Sequence, residues 1–341
     1  MRVRRDDNRF EGVTGQVRMT ARPAGSAVRR LLHFTKVMYK PHYLLYGVLW
    51  VFALEATIAL LTVPWEVWRP GAATLCRVVV VAAVLLYLRM VDEQKDLEYD
   101  RVHNPDRPLV TGAVTAADLR LGMVVLAAGS LAASLLLSVR SALAIGLVLL
   151  YGLALWGLER VSARVRDGIL VNLLVTYPVQ LLVTAYILVS VLDTPGPPRG
   201  WASYEPCTVC DGRLATFWSL APVALIFAGA FLQFEFARKT AREQRPGEHY
   251  YSNPLGPGMS CAASLLFVAV AIGADLALVR PWEYTGWRLG LGYLPVLAAL
   301  LPVYGALRFL RHRSAEYPVT PAVLFIVILY GVLIAQSAVP A

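Results

Sequence analysis

The sequence predicts an all-α membrane protein, a bundle of nine spanning helices with loops capping one side. Three observations carry that prediction. Of the 341 residues, 57% are hydrophobic and the mean hydropathy is +0.56, well above the roughly 45–50% apolar content of soluble domains. Apolar runs of about 20 residues, the length that crosses a bilayer as a helix, recur at about 43–63, 73–94, 117–138, 141–158, 168–192, 214–236, 259–279, 288–308 and 319–338. Charge is also lopsided about those runs. Of 32 Lys and Arg, only Arg69, Arg77, Arg140, Arg199, Arg213, Arg280 and Arg288 fall on one side. The positive-inside rule puts the richer side and the N-terminus in the cytosol, and the C-terminus opposite. The net charge of +9 is then topological, which argues for the lipid bilayer as partner and against nucleic acid.

The elements follow in order. Residues 1–25 lack an apolar run and are expected to be disordered, with no cleavable signal peptide. From Ser26 to Tyr39, Val28, Leu31, Leu32 and Met38 share a helical face beside Arg29, Arg30 and Lys36, the pattern of an interfacial helix. Residues 1–42 therefore form a basic cytosolic segment and 43–341 the transmembrane domain. The first span carries Glu55, a residue costly to bury in lipid, either as a functional group or in an ion pair between helices. Thr115 and Asp118 open the third span as a capping-box variant. The loop from Glu159 to Asp167 with its arginines controls topology. In the fifth span Asn172, Thr176, Gln180 and Thr184 recur every four residues, a polar stripe suited to a bundle interior or to interhelical hydrogen bonds. Cys207 and Cys210 fall in an external loop where a local disulfide would be permitted, while Cys76 and Cys261 act as small apolar fillers. The last three spans hold little polar material and serve as bundle wall.

Two stretches carry chemistry. The second span ends in RMVDEQKDLEYDRVHNPDRPLVTG, residues 89–112. Asp92, Asp96 and Asp100 are spaced by four, so on a helix they stack along one face with a drift of about 40° per step. Like charges at that spacing destabilise a bare helix, so the arrangement makes sense around a divalent cation or a cation carrying a phosphate. Pro105 and Pro108 stop the helix. The sixth span ends in FLQFEFARKTAREQRPGEHYYSNPLG, where Glu235, Arg238, Lys239 and Arg242 would share a helical face as an anion clamp. Snorkelling of basic side chains at a membrane boundary explains part of that pattern without any function. No glycine-rich phosphate loop, Ser-His-acid arrangement or HExxH spacing is present.

Together these stretches resemble the UbiA superfamily of intramembrane prenyltransferases, whose members have nine spans and acidic motifs on the second and sixth helices. The family's first motif, NxxxDxxxD followed by RP and Gly, is matched by Asp92, Asp96, Asp100, Arg107, Pro108 and Gly112, with Asp92 in place of Asn. Its second motif, DxxxD, is matched by Glu235 and Lys239, so an ammonium replaces a carboxylate. The resemblance implies a UbiA-like bundle with cytosolic cap loops and a Mg2+-dependent enzyme that ionises an isoprenyl diphosphate and passes the prenyl group to a hydrophobic, often aromatic, acceptor. It also implies site roles. Asp92, Asp96 and Asp100 would hold Mg2+ with Glu235 assisting. Arg107, Arg238, Lys239 and Arg242 would grip the diphosphate, with Asn172 facing substrate. Aromatic lining is expected from residues such as Phe231, Phe234, Phe236, Tyr151, Trp156 and Tyr177. A terpene cyclase on the same scaffold, releasing a cyclic product without an acceptor, and a non-enzymatic lipid-binding protein or transporter are the alternatives.

Overall fold

The structure is a computed structural model that describes residues 25–62, 67–194, 213–311 and 314–338, with backbone alone over 213–219. Most of the N-terminal segment and both cysteines of the 207–210 pair lie outside the described residues. Everything described is helical apart from loops and one isolated bridge, Ala241 to Glu316. Helix α1 (Ala27–Met38) precedes α2 (Pro41–Thr62), α3 (Ala72–Lys95), α4 (Leu97–His103), α5 (Ala116–Leu135) and α6 (Val139–Val161). The chain continues through α7 (Ala163–Asp167), α8 (Ile169–Thr176), α9 (Pro178–Asp193) and α10 (Arg213–Arg238). It ends with α11 (Ser252–Val279), α12 (Trp287–Ala298), α13 (Leu300–Arg311) and α14 (Val319–Ser337). Pairing α8 with α9 and α12 with α13, nine segments among the described residues are long and apolar enough to cross a membrane. Nine spans and the hydropathy agree on a multi-pass membrane protein.

Local sequence explains the breaks. Pro178 has no N–H to give and separates α8 from α9 at Tyr177. Gly256, at φ 77 and ψ 159, kinks α11 one residue before Pro257, a backbone state open to glycine alone. This is why α11 starts seven residues ahead of the apolar run at 259. The predicted capping box is present: the Thr115 hydroxyl accepts the Asp118 N–H at 3.1 Å and Asp118 accepts the Thr115 N–H at 3.0 Å. The Asp118 carboxylate also receives two N–H donors of Arg30 at 2.8 and 2.6 Å, which docks the amphipathic α1 against α5.

Because lipid offers no hydrophobic drive for helix association, close packing and polar contacts hold the bundle. Helices α10 and α11 meet at Gly229, where an added Cβ would lie 2.6 Å from the Phe267 carbonyl oxygen. Glu55 turns out to be an ion-pair residue. Its carboxylate accepts Arg77 Nη1 at 3.0 Å and the Thr74 hydroxyl at 2.7 Å, and Arg77 goes on to the Ser190 hydroxyl and carbonyl at 2.9 and 2.8 Å. That network ties α2, α3 and α9 together at the end of the bundle away from the acidic stretch. The end where α3 finishes is called the motif end below.

One expectation for the wall helices fails. Asp275 on α11 is fully buried, and neither of its carboxylate oxygens has a hydrogen-bond partner among the described residues.

Candidate active site

The acidic ladder is helical in its hydrogen bonding but bends at its middle rung. Asp96 sits between α3 and α4 at φ −92 and ψ 12, yet its N–H reaches the Asp92 carbonyl at 2.8 Å and the Asp100 N–H reaches its own at 2.8 Å. The three carboxylates therefore share a side but meet different surroundings. Asp92 and Asp96 have side chains 48% and 36% exposed. Asp100 is buried and taken: Arg107 Nη1 donates to it, and Asn104 Nδ2 donates at 2.9 Å. Arg107 also reaches the buried Glu93 at 3.1 Å, and Arg89 pairs with Glu93 at 2.5 Å.

A lysine that no motif includes stands beside the two open aspartates. Lys95 Nζ lies 3.5 Å from Asp96 and 3.9 Å from Asp92, and it donates to Glu159 of α6 at 3.0 Å. Glu159 also accepts from Asn172 Nδ2 at 2.7 Å. The polar stripe of α8 and α9 thus begins by orienting a carboxylate. Thr176 and Thr184 donate to carbonyls within their own helices at 2.8 and 2.9 Å.

The basic stretch is built around a single carboxylate. Glu235, 5% exposed, accepts Arg238 Nε at 2.5 Å and Nη2 at 2.9 Å, Lys239 Nζ at 2.9 Å and the Tyr251 hydroxyl at 3.1 Å. Lys239 also stands 5.0 Å over the Tyr251 ring. Burial and the adjacent Glu235 charge push the Tyr251 hydroxyl well above the usual phenol range, so it stays a donor. The second shared-face expectation fails at its last member. Helix α10 ends at Arg238 because other groups take the next backbone positions: Ser252 accepts the Ala241 N–H at 2.9 Å, Tyr251 donates to the Lys239 carbonyl at 2.9 Å and Tyr317 to that of Thr240 at 3.0 Å. Arg242 is consequently turned onto the loop before α14. Its guanidinium donates to the Phe309 carbonyl and to that of Ser314 at 3.2 Å, and it lies 5.1 Å over the Phe309 ring. It is a loop clamp, and the structure does not bring it to the cluster at Glu235.

The two stretches meet across the motif end. Tyr99 of α4 stacks on His103 at 4.3 Å and, from the loop after α10, on His249 at 4.6 Å. His249 falls within electrostatic reach of Lys239, Asp96, Lys95 and Glu159. A cleft of about 470 Å³ lined by Tyr99, Asp167, Gly247, His249 and Asn253 opens beside this stack. Deeper in the bundle, Tyr46 packs against Trp50 at 5.5 Å and Tyr330 at 6.3 Å, Phe227 against Tyr330 at 4.9 Å and Tyr177 against Phe231 at 6.0 Å. The Tyr177 hydroxyl and the Trp50 indole N–H are shielded and lack hydrogen-bond partners among the described residues, and the shielded Tyr46 and Tyr330 hydroxyls lie within reach of each other.

This arrangement of helices has solved counterparts. The apo structure of a UbiA homologue from Aeropyrum pernix K1 superposes with a TM-score of 0.55 at 19% identity, covering 84% of this chain and 96% of that one. The chain has the UbiA fold. A digeranylgeranylglyceryl phosphate synthase superposes with a TM-score of 0.52 at 14% identity, over 91% of this chain and 99% of its own. No family model and no curated protein matches the sequence.

Within the UbiA fold the expected metal set of Asp92, Asp96, Asp100 and Glu235 is not assembled. Among the described residues no three Asp, Glu, His or Cys side chains come together as a metal cage. The physical reason is charge pairing, since Asp100 is neutralised by Arg107 and Glu235 by Arg238 and Lys239. Asp92 and Asp96 remain open, and two carboxylates fit Mg2+, which is commonly held by one or two of them plus water and substrate phosphates. Lys95 and Glu159 went unnoticed in the sequence because nothing local links positions 64 residues apart. A lysine next to an aspartate ladder, and a glutamate one position past the apolar run at 141–158, were the available signals.

Proposed function

We propose that the protein is an intramembrane prenyltransferase that ionises an isoprenyl diphosphate at the motif end and transfers the prenyl group to a hydrophobic acceptor. The observation that carries this reading is the confrontation of an open aspartate pair, Asp92 and Asp96, with a cationic cluster, Arg238 and Lys239, across the Tyr99–His249 stack. Asp92 and Asp96 would hold Mg2+, which when bound would supply Lewis-acid stabilisation of charge on the departing diphosphate. Arg238 and Lys239 bind the diphosphate oxygens directly, which suits a chain whose second motif carries an ammonium where the family has a carboxylate. Glu235 keeps both cations aimed, and Arg107 holds Asp100 and Glu93 as the floor of the acidic side. Cytosolic placement of this end follows from the positive-inside asymmetry.

In the chemical step the C1–O bond breaks and its electron pair leaves with the diphosphate. The allylic cation then takes an electron pair from the acceptor, which loses a proton. The aromatic interior formed by Tyr46, Trp50, Tyr177, Phe227, Phe231 and Tyr330 excludes water and offers ring faces to a cation. A cyclase that uses an internal alkene as nucleophile is the second reading, favoured by the DExxD run at Asp92 to Asp96.

The test is to incubate purified protein with Mg2+ and diphosphates of ten, fifteen and twenty carbons, with and without phenolic and quinoid acceptors. Diphosphate release that depends on an acceptor supports the transferase. Release with a cyclic hydrocarbon or terpene alcohol and no acceptor selects the cyclase. Tight binding without turnover under every condition would overturn both.

A further inference from the structure

Lys95 holds a position that the motifs leave unassigned. It is the last residue of α3, its side chain is 11% exposed, and among the described residues its side chain donates to Glu159 at 3.0 Å. Glu159 is itself buried, and its Oε1 accepts both Lys95 Nζ and Asn172 Nδ2, at 3.0 and 2.7 Å, so the carboxylate that tethers Lys95 is itself held. From this anchor the ammonium faces one oxygen of Asp96 at 3.5 Å and one of Asp92 at 3.9 Å. Both separations exceed a normal hydrogen bond. The attraction is therefore Coulombic, and the aspartate lone pairs stay open to a ligand.

We propose that Lys95, tethered by Glu159, makes the Asp92–Asp96 pair a receptor for a metal–diphosphate complex and a poor one for the free metal ion. A bare divalent cation settling on the two aspartates meets a fixed like charge a few ångströms away, a repulsion that water screens weakly in a partly buried site. A cation that arrives with diphosphate brings oxygens to which the same ammonium can donate, so repulsion becomes attraction. Metal and diphosphate then favour each other's binding, and Lys95 carries the coupling. The inference rests on the diphosphate reading of the site given above, and it explains how one resident carboxylate pair can select its metal in complexed form.

The experiment uses the full chain in detergent. Mn2+ without any anion is the metal probe, its bound and free fractions counted by electron paramagnetic resonance. Radiolabelled inorganic pyrophosphate at saturating Mg2+ is the anion probe. The double variant K95M/E159Q removes both partners, so that neither is left buried and unpaired. It is expected to bind Mn2+ about tenfold tighter than wild type and pyrophosphate about tenfold weaker. K95Q, a milder second variant, should move both constants in the same directions, and K95R should leave both within about twofold. Adding D92N/D96N should abolish Mn2+ binding in every background. A purely structural role for Lys95 would weaken both ligands together. Mn2+ affinity that is unchanged or reduced in both K95M/E159Q and K95Q overturns the proposal. Neither probe requires turnover, so a wild type that consumes no prenyl diphosphate would end the functional reading and leave this comparison intact.

Discussion

Tyr99 and His249 stack with ring centroids 4.6 Å apart and planes 18° from parallel, and this contact joins α4, within the acidic stretch, to the loop after α10. Aromatic pairs of this kind contribute about 0.5–1.5 kcal/mol beyond the area they bury. The contact therefore ties the two halves of the candidate site together at a modest energy.

The stack should be pH-dependent. Burial, and secondarily the Lys239 charge, hold the His249 imidazole below its ordinary value, which is about 6.5 in a free chain. The folded cap thus binds fewer protons than the open one. Its stability is complete above the ordinary histidine value and is lost as pH falls through the lowered one. Amide protection over residues 239–251, taken as the exchange rate relative to the intrinsic rate at each pH, should fall as the pH drops below the ordinary histidine value, and H249F should remove that dependence while keeping the stack. Protection insensitive to pH in wild type would contradict this account.

Asp96 and Asp100 should separate on mutation although they lie one helical turn apart. Asp96 is open and Asp100 is buried against Arg107 and Asn104. D96N is expected to abolish diphosphate release with the unfolding temperature nearly unchanged. D100N leaves Arg107 short of its partner and should lower stability by roughly 3 kcal/mol, the cost of breaking a buried pair. Thermal unfolding in one detergent, run beside the release assay, distinguishes the two outcomes.

What the sequence made legible was local. Span positions follow from hydropathy, the Thr115–Asp118 cap from residue type at fixed spacing, and the aspartate ladder from helical period, because each depends on neighbours within a few positions. Charge partners depend on packing and were not legible. Asp100 belongs to Arg107 and Glu235 to Arg238 and Lys239, so carboxylates that looked equivalent in the chain are unequal in space. Arg242 departs from the expected face because Ser252, Tyr251 and Tyr317 end the helix early, and those residues lie nine or more positions away. Glu159 fell in a stretch assigned to topology control, yet α6 continues to Val161 and buries it.

The Glu55–Arg77 pair should be structural. It lies at the end of the bundle away from the motifs and is fully committed to Thr74, Ser190 and its own members. E55Q and R77M should each destabilise by roughly 3 kcal/mol, and the double variant by clearly less than the sum, because the second change relieves an unpaired charge left by the first. Mn2+ and pyrophosphate binding should not change in any of the three. A shift in ligand affinity with stability preserved would return Glu55 to the list of functional groups.

Asp275 presents the opposite case, a carboxyl group buried in α11 with both oxygens unpartnered among the described residues. An unpaired polar group in an apolar interior costs about 1–3 kcal/mol by mutational measures, and a carboxyl in a membrane-spanning segment is retained against that cost when it serves function. It lies one turn before Val279, at the end of α11 remote from Tyr251 and the cluster at Glu235, so it does not belong to the diphosphate site. Replacement by valine, apolar and only slightly larger, should therefore raise the unfolding temperature and leave Mn2+ and pyrophosphate affinities at wild-type values. If Asp275→Val also left turnover intact, the residue would be a tolerated defect of packing. Loss of turnover in a variant that is more stable and still binds pyrophosphate would instead place the group in a step after diphosphate binding, since neither misfolding nor a damaged metal site would then account for the defect.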